Sequence, residues 1–228
     1  SFNELMNGKK IVHFEIDPAE INKNVPVDCR VTGDIKIALG QINKLLKKAD
    51  HSEWMKKIAD WKAAYPLHQV SDNADDVLPQ YVIETLNEIT DGKAIITTEV
   101  GQHQMWAAEY YNFKYPRTFA TSGGLGTMGY GLGAAIGSKV GNPDKTVVNI
   151  AGDGSFYMNM NELTTLAKYD LPVIELVFNN TVLGMVRQWQ KLFYGKRFSQ
   201  TNLEKQTDFE LLGQAVGINA FTIRTKAD

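Results

Sequence analysis

Hydrophobic positions from residue 77 onward follow two alternating patterns. Runs that are apolar along their whole length predict buried strands at residues 93–99, 146–151, 172–178 and 220–224. The segments between them carry apolar or small residues at helical spacing and predict helices at residues 78–89, 126–140, 160–169 and 209–216. Fully apolar strands that alternate with helices are typical of a parallel sheet covered on both faces. We therefore expect a three-layer α/β/α fold with a mainly parallel sheet.

The N-terminal residues repeat this pattern on a smaller scale. Residues 10–16 predict a buried strand, residues 28–31 a second short strand, and residues 34–46 a helix that begins after a Gly-Asp start signal. A unit of this size buries too little surface to be stable alone. We interpret residues 1–47 as the last section of a truncated Rossmann-like middle domain.

A polar stretch separates this section from the larger pattern. Residues 48–76 are mostly polar or charged, and Trp54, Ile58 and Trp61 are spaced for one face of a helix. This spacing predicts a linker helix, so that residues 77–228 form a separate C-terminal domain.

Composition and charge narrow the classes of function. Hydrophobic residues make up 43% of the 228-residue chain, and 24 basic against 26 acidic residues give a net charge of −2. This balance offers no basic surface for nucleic acid, and no apolar run is long enough to span a bilayer. The single cysteine, Cys29, excludes an intrachain disulfide and fits a cytoplasmic protein. The chain does not begin with Met and ends directly after a strand-like stretch, so we expect it to be part of a longer protein.

The strongest chemical signal combines two short motifs that follow consecutive strands. Gly152-Asp153-Gly154 comes after the second strand of the pattern, and Asn179-Asn180 comes after the third. A Gly-Asp-Gly tripeptide alone is a common turn. Because one helix connects the two strands, a right-handed crossover returns the second strand parallel to the first. Both motifs then lie at the carboxyl edge of the sheet, where ligands bind in open α/β folds.

A carboxylate and a carboxamide at this edge favour a hard cation. The side-chain oxygens of Asp153 and Asn180 and a following backbone carbonyl suit Mg²⁺, which keeps positions for phosphate oxygens and water. Gly154 and Ser155 then open a helix whose free N–H groups can receive a diphosphate. The two motifs together predict a site for Mg²⁺ and a diphosphate.

A glycine-rich block at residues 122–131 allows a second interpretation. Gly124, Gly126 and Gly129 form the G-x-G-x-x-G pattern of dinucleotide-binding folds, and Asp144 follows at the distance of a ribose-binding acid. Asp144 lies in a turn before a strand, however, whereas the ribose-binding acid lies at the end of that strand. The pattern also suits close helix packing through small residues. We therefore favour the diphosphate site over a nicotinamide site.

A third block, residues 99–106, also follows a strand at the carboxyl edge. Gln102 and His103 in this block can donate hydrogen bonds to phosphate oxygens. A histidine after a strand is otherwise a structural hydrogen bonder. The presence of the other two blocks favours a role in binding the cofactor.

Gly-Asp-Gly followed at this distance by Asn-Asn resembles the signature of the thiamine diphosphate (ThDP)-dependent enzymes. The resemblance implies that residues 77–228 bind ThDP and Mg²⁺, and that Asp153, Asn180 and the backbone carbonyl of Val182 are the metal ligands. It implies that the Gly126 carbonyl accepts from the aminopyrimidine and that Met128 holds the cofactor in a bent form. The cofactor-binding residues that it implies are Val100, Gly101, Gln102, His103, Gly126, Met128, Gly152, Asp153, Gly154, Ser155, Asn180, Val182, Gly184 and Met185.

Three stretches are similar to the biosynthetic acetolactate synthases: GQHQMWAA from residue 101, SGGLGTMGYGLGAAIG from residue 122 and GMVRQWQ from residue 184. The resemblance implies that Trp189 narrows the acceptor pocket, favours 2-ketobutyrate as second substrate, and stacks on sulfonylurea and imidazolinone herbicides. Alternatively, Trp189, Phe193 and Tyr194 form an aromatic helix face in the core. Residues 181–205 are expected to form a mobile cover over the site.

Enzymes of this family decarboxylate pyruvate and condense the product with pyruvate or 2-ketobutyrate, which starts branched-chain amino-acid biosynthesis. The resemblance implies a homo-oligomer, a dimer or tetramer, with the active site at the subunit interface, and allows for a regulatory small subunit. The alternatives are another ThDP-dependent 2-ketoacid decarboxylase or carboligase, and a non-catalytic ThDP-binding module.

The resemblance also indicates which parts of the family's site lie elsewhere. The activating glutamate of the family lies on an N-terminal domain, so the 228 residues alone are expected to be inactive. FAD is expected in the full-length protein rather than in this portion. The N-terminal tail resembles the end of the family's flavin domain, in which Glu15 and Asp34 would face the flavin adenine and ribose hydroxyls.

Overall fold

The computed structural model describes residues 6–67, 71, 75–203 and 207–228. Predictions for residues 1–5, for part of the end of the linker segment and for residues 204–205 of the cover lie outside the described residues. The chain divides into two compact units, Ser1–Pro66 and Leu67–Asp228.

The described part of the first unit includes two short parallel strands, a 3₁₀ turn (Pro18–Glu20) and two longer helices. β1 (Val12–Glu15) pairs with β2 (Cys29–Thr32), and they are followed by α1 (Ile35–Leu45) and α2 (Ser52–Ala64). Asp34 caps α1, because its Oδ1 accepts from the backbone N–H groups of the second and third helical residues. None of the α1 and α2 residues, all of which are described, is buried. The small buried surface agrees with the expectation from the size of this section.

Two tryptophans lie on one face of α2, as their spacing predicts. The rings of Trp54 and Trp61 meet edge to face with centroids 5.7 Å apart. The ammonium group of Lys57 lies 5.0 Å from the Trp61 ring centroid and 5.9 Å from that of Trp54. The predicted linker segment therefore contains a helix with its own aromatic cluster.

The second unit is built on a four-stranded parallel sheet with the strand order β4-β3-β5-β6. Its strands are β3 (Ile95–Thr98), β4 (Phe119–Thr121), β5 (Val147–Gly152) and β6 (Val173–Phe178). Three of them lie where the apolar runs predict strands. β4, with only three residues, has no apolar run long enough to predict it.

Helices connect the strands and cover both faces of the sheet. They are α3 (Pro79–Thr90), α4 (Gln102–Tyr110), α5 (Gly131–Gly141), α6 (Asp153–Phe156), α7 (Leu163–Lys168), α8 (Gly184–Phe193) and α9 (Phe209–Ala215). A 3₁₀ turn, Met160–Glu162, forms the start of the helix predicted at residues 160–169. Among the helices in the described part of the chain, none combines the length and the apolar character needed to cross a membrane.

Alternate residues of β5 face opposite layers of the core. Val148 and Ile150 pack with residues of α3 and α4 such as Ile83 and Ala107. Ala151 packs on the other face in a cluster with residues of α5, α6 and α7. The predicted three-layer α/β/α fold is therefore confirmed.

The glycine-rich block delays the start of α5. The sequence predicts a helix from residue 126, whereas the structure begins it at Gly131. Gly126 has a φ of 66° and Gly129 a φ of 89°, which lie outside the right-handed helical region. The block therefore forms an irregular loop before the helix.

The strand predicted at residues 220–224 is absent from the structure, which describes this whole segment. Phe221 is 76% exposed and Ile223 is 48% exposed, so the alternating apolar side chains have no face to bury against. Asp228 Oδ2 instead accepts from the N–H groups of Arg224 and Thr225, both at 2.8 Å. This local turn replaces the predicted pairing.

Candidate active site

The strand order places a switch point between β3 and β5. The chain leaves β3 toward β4 on one side and returns at β5, from which it continues toward β6 on the other side. Ligands of open α/β sheets bind at such a point, outside the carboxyl ends of the strands. Gly152 pairs with Phe178, so the segments that follow β5 and β6 begin side by side, as the crossover argument predicts.

A cleft lies at this edge of the sheet. It is lined by Val100, Gly101, Gln102, His103, Trp106, Gly126, Met128, Gly152, Asp153, Gly154, Ser155, Phe178, Asn180, Val182, Leu183, Gly184, Met185 and Val186. Every residue that the sequence predicts to bind the cofactor is among them. Trp106, Phe178 and Leu183 are lining residues that sequence reasoning missed, because their apolar side chains carry no chemical signal of their own.

The floor of the cleft is backbone, because its glycines leave no space for a side chain. A Cβ added at Gly101 would lie 2.6 Å from His103 Cε1, and one at Gly152 would lie 2.8 Å from His103 Nδ1. A Cβ at Gly154 would overlap the side chain of Leu183. The absence of side chains lets a ligand approach the backbone N–H groups directly.

His103 has an unsatisfied nitrogen in the wall of this cleft. The residue is 5% exposed, and Nε2 has no hydrogen-bond partner within the described ranges. Burial lowers the pKa of His103 to about 4, opposed by a hydrogen bond to the backbone of Glu99. The imidazole is therefore neutral near pH 7. A buried polar atom without a partner, at the wall of a cleft, fits a ligand that supplies a hydrogen-bonding oxygen.

Asp153 carries a buried carboxylate that faces the segment after β6. It is 2% exposed; Oδ1 accepts from Gly154 N at 2.8 Å and Oδ2 from Thr181 N at 2.5 Å. Burial raises the pKa of Asp153, whereas these backbone donors oppose the rise. A desolvated carboxylate held by neutral donors is stabilised by a cation. The crossover therefore brings the two motifs together, as the sequence predicts.

The side-chain and carbonyl oxygens near Asp153 match the preference of Mg²⁺ for oxygen ligands. Asn180 and Val182 line the same cleft, and Asn180 Oδ1 accepts from Val182 N at 3.1 Å. No group of three or more His, Cys, Asp or Glu side chains able to hold a metal occurs in the part of the chain that the structure describes. One carboxylate supplemented by amide and carbonyl oxygens suits a cation that also binds phosphate.

The side chain of Glu99 holds the glycine-rich loop and the start of α5 through hydrogen bonds from backbone N–H groups. Its carboxylate is fully buried and accepts from Gly129 N at 2.6 Å, Gly131 N at 2.8 Å and Leu132 N at 3.2 Å. Burial raises the pKa of Glu99, and these donors oppose the rise. Sequence reasoning assigned no role to this residue; the signal was an acidic side chain at the end of a predicted buried strand.

This carboxylate also decides between the two interpretations of the glycine-rich block. In a dinucleotide site the pyrophosphate binds at the N-terminus of the helix that follows the glycines. Here Glu99 accepts from the first N–H groups of α5. The helix terminus is therefore already occupied, and the nicotinamide interpretation is wrong. Gly126 and Met128 face the cleft from the loop before the helix.

Trp189 lies outside the cleft, in a neighbouring surface pocket on α8. That pocket is lined by Met185, Val186, Trp189, Gln190, Tyr194 and Arg197. Trp189 is 57% exposed, Phe193 67% and Tyr194 54%, so the alternative of an aromatic face in the core is wrong for the described chain. Met185 and Val186 line both the cleft and this pocket, which are therefore adjacent.

Comparison with protein families defines the class. Residues 99–228 match the family described as thiamine pyrophosphate enzyme, C-terminal TPP binding domain. This match covers more than half of the chain, which therefore belongs to that family.

The chain is also similar to individual proteins named as acetolactate synthases. The chain is 47% identical to acetolactate synthase, chloroplastic, of Arabidopsis thaliana over 96% of its length, and 44% identical to the acetolactate synthase isozyme 3 large subunit of Escherichia coli (strain K12) over 91%. It is 42% identical over 95% to the probable acetolactate synthase large subunit of Methanococcus aeolicus. The chain spans 34%, 37% and 39% of the lengths of these relatives. The resemblance predicted from the sequence is confirmed.

Proposed function

We propose that this chain is the ThDP- and Mg²⁺-binding portion of an acetolactate synthase. The intact enzyme, a transferase, decarboxylates pyruvate and condenses the product with pyruvate or 2-ketobutyrate in branched-chain amino-acid biosynthesis. One observation carries the proposal: a single cleft contains the buried Asp153, the unpartnered His103 Nε2 and the glycine floor. The similarity to acetolactate synthases supports the choice of reaction.

The diphosphate end of the site is formed by backbone groups and three side chains. The oxygens of Asp153, Asn180 and Val182 would hold Mg²⁺, and the N–H groups after Gly152 would receive the diphosphate. A neutral imidazole carries one N–H, so His103 would donate from Nε2 to a phosphate oxygen as the Nε2–H tautomer, which gives up the hydrogen bond to the backbone of Glu99. None of the described residues that line the cleft is a lysine or an arginine, so these contacts would orient a bound cofactor without a cationic side chain.

The other end of the site is formed by the glycine-rich loop and α8. The Gly126 carbonyl would accept from the aminopyrimidine, and Met128 would support the bent form of the cofactor. When bound, ThDP supplies the electron sink for decarboxylation. Met185 and Trp189 would shape the entrance for the second 2-ketoacid, next to the cleft.

Further features of the intact enzyme belong to the same proposal. Its active site lies between subunits of a cytoplasmic homo-oligomer, to which a regulatory subunit can bind, and FAD is held by its middle domain. The family's enzymes use an activating glutamate as a general acid–base group. None of the residues named above is proposed to take that role. General acid–base groups contribute roughly 10²–10⁴ in rate. The 228-residue polypeptide alone is therefore expected to form no acetolactate.

The test is a calorimetric titration of ThDP into the intact protein, first with Mg²⁺ and then with EDTA. We expect binding that requires the metal and is lost in Asp153→Ala. Asp144→Ala is the matched control, because Asp144 is an exposed carboxylate in a turn. ThDP binding that survives EDTA and Asp153→Ala equally would refute the proposed metal site.

Formation of acetolactate from pyruvate by the intact protein separates the synthase from the alternatives. Decarboxylation without condensation would favour another ThDP-dependent decarboxylase. Tight ThDP binding without turnover of pyruvate would favour a non-catalytic binding module.

A further inference from the structure

Residues 199–203 form a strap that runs antiparallel to the segment after β6. Leu183 N donates to Thr201 O at 2.8 Å, and Leu203 N donates to Thr181 O at 2.9 Å. Between these two bonds, Val182 and Asn202 form an antiparallel bridge. The strap therefore holds residues 181–183 by a short two-stranded ladder.

The side-chain amide of Gln190, on α8, holds the strap through both of its ends. Nε2 donates to Ser199 O at 2.9 Å, and Oε1 accepts from Ser199 N at 3.2 Å. The hydroxyl of Thr201, which is 2% exposed, lies 3.5 Å from the same Oε1. A second, exposed link joins Arg187 Nη1 to Asn202 Oδ1 at 3.0 Å. Among the described residues, Gln190 and Arg187 thus both connect α8 to the strap, and Gln190 is the one that also contacts the buried Thr201.

The segment held by the strap reaches the cleft at three points. Thr181 N donates to the carboxylate of Asp153. Val182 lines the cleft. The side chains of Leu183 and Leu203 both approach the position where a Cβ at Gly154 would lie. A shift of the strap would therefore move a donor to Asp153, a proposed metal ligand and the apolar cover of Gly154 together.

We infer that Gln190 is a positioning residue, which sets the place of the Val182 carbonyl and of the cover over Gly154 by fixing residues 199–203. This inference rests on the proposed function, because it assigns the effect to the Mg²⁺ and diphosphate end of the cleft. Gln190 itself lines only the neighbouring pocket and touches the proposed ligands through the strap. Its role therefore differs from that of the residues that line the cleft.

The experiment compares the intact protein with its Gln190→Leu variant, which keeps a side chain of similar size without either hydrogen-bonding end. Gln214→Leu makes the same chemical change at an exposed position on α9. Gln190→Glu retains the acceptor for Ser199 N and loses the donor to Ser199 O. Two quantities are measured: hydrogen exchange of single amides without cofactor, and ThDP affinity with Mg²⁺ and with EDTA.

In Gln190→Leu we expect the amides of Leu183 and Leu203 to exchange at least about 10-fold faster, as follows from the loss of one or two hydrogen bonds. The amide of Glu99, which donates to Ile150 in the sheet, should keep its protection. ThDP affinity with Mg²⁺ should fall by on the order of 10-fold, and no binding is expected with EDTA in either protein. Gln190→Glu should lie between wild type and Gln190→Leu, and Gln214→Leu should match wild type.

Unchanged exchange at Leu183 and Leu203 would overturn the inference, as would an unchanged ThDP affinity with Mg²⁺. Faster exchange at Glu99 in Gln190→Leu would indicate that this variant is destabilised as a whole, and the comparison then rests on Gln190→Glu. Faster exchange at Glu99 in Gln190→Glu as well would overturn the positioning role. A wild-type protein that binds no ThDP with Mg²⁺ overturns the proposed function itself. Normal binding by both wild type and Gln190→Leu overturns only the role of Gln190.

Discussion

Gln102 Nε2 donates to Gln188 Oε1 at 2.9 Å, which joins the start of α4 to α8 across the cleft. The side-chain oxygen of Gln102 also fills the space where a Cβ at Gly184 would lie. The amide that the sequence predicts to donate to a phosphate is therefore engaged with α8. The amide has two N–H donors, and a diphosphate that needs the one bonded to Gln188 must replace that bond.

We expect Gln188→Leu to raise the affinity for ThDP with Mg²⁺ by roughly 2- to 10-fold, because the competing acceptor is removed. Gln102→Leu should lower the affinity by a similar factor, since it removes the donor itself. Titration calorimetry on the intact protein measures both. Weaker binding in Gln188→Leu would mean that the contact between the two glutamines supports the bound state instead.

His103 provides a prediction in which stability and binding change in opposite directions. Its buried Nε2 has no partner among the described residues, so His103→Leu removes an unsatisfied polar atom. Without cofactor, the melting temperature of this variant should equal or exceed that of the wild type. ThDP affinity should fall by roughly 10-fold through loss of one hydrogen bond. Thermal unfolding with and without Mg²⁺ and ThDP tests both halves, and a variant that loses stability without cofactor would contradict the first.

Gly154 and Gly137 form a matched pair for the glycine floor. Alanine at Gly154 would place a methyl group against Leu183, whereas a Cβ at Gly137, on the exposed face of α5, meets no atom within 4 Å. Gly154→Ala should therefore abolish detectable binding of ThDP with Mg²⁺. Gly137→Ala should leave binding unchanged and stabilise the fold by about 0.5–1 kcal/mol, as expected in a helix interior. Similar affinities in the two variants would show that Leu183 can move away without cost.

A row of polar side chains under α5 predicts a pH-dependent stability. Thr97 Oγ1 donates to Asn149 Oδ1 at 2.8 Å, and Asn149 Nδ2 lies 2.8 and 2.9 Å from the two carboxyl oxygens of Glu175. Burial raises the pKa of Glu175 from about 4.5 to about 8, opposed by the bond from Asn149 and assisted by the charge of Glu99. The folded protein therefore retains this proton at pH values where the unfolded chain has lost it.

The free energy of unfolding should accordingly decrease as the pH rises from about 4.5 to about 8, and level off above that range. Glu175→Gln keeps a neutral side chain at every pH and should remove this decrease. Its melting temperature should exceed that of the wild type by a margin that grows across the same interval. Glu109→Gln, at an exposed position, should run parallel to the wild type. Parallel curves for Glu175→Gln as well would refute the assignment.

The fold and the location of the site follow from sequence patterns that obey general rules. Asp153 and Asn180 could be placed together because each follows a strand, and parallel strands joined by one helix end at the same edge. The start of α5 was misplaced, because helical spacing of small residues does not reveal the positive φ of Gly129. The prediction of a strand at residues 220–224 was wrong, because alternating apolar residues do not by themselves provide a neighbouring strand to pair with.

Contacts between distant side chains could not be predicted in the same way. Gln102 and Gln188, or Gln190 and Ser199, meet only because α8 and the strap adopt particular positions over the cleft. Neither pair carries a charge or a spacing that marks it in the sequence. Glu99 is intermediate, since an acidic residue after an apolar strand signals a special environment but not which N–H groups it accepts from.

The glycine floor of the cleft also limits how the protein can evolve. At Gly101, Gly152, Gly154 and Gly184, any side chain would meet an imidazole, a leucine or a glutamine that is itself part of the cleft. A viable replacement at one of these positions requires a simultaneous change in the neighbour, which single-nucleotide substitutions rarely supply. Inherited variation should therefore accumulate at exposed positions away from the cleft. Residues at those positions can change while the backbone surface of the cleft stays the same.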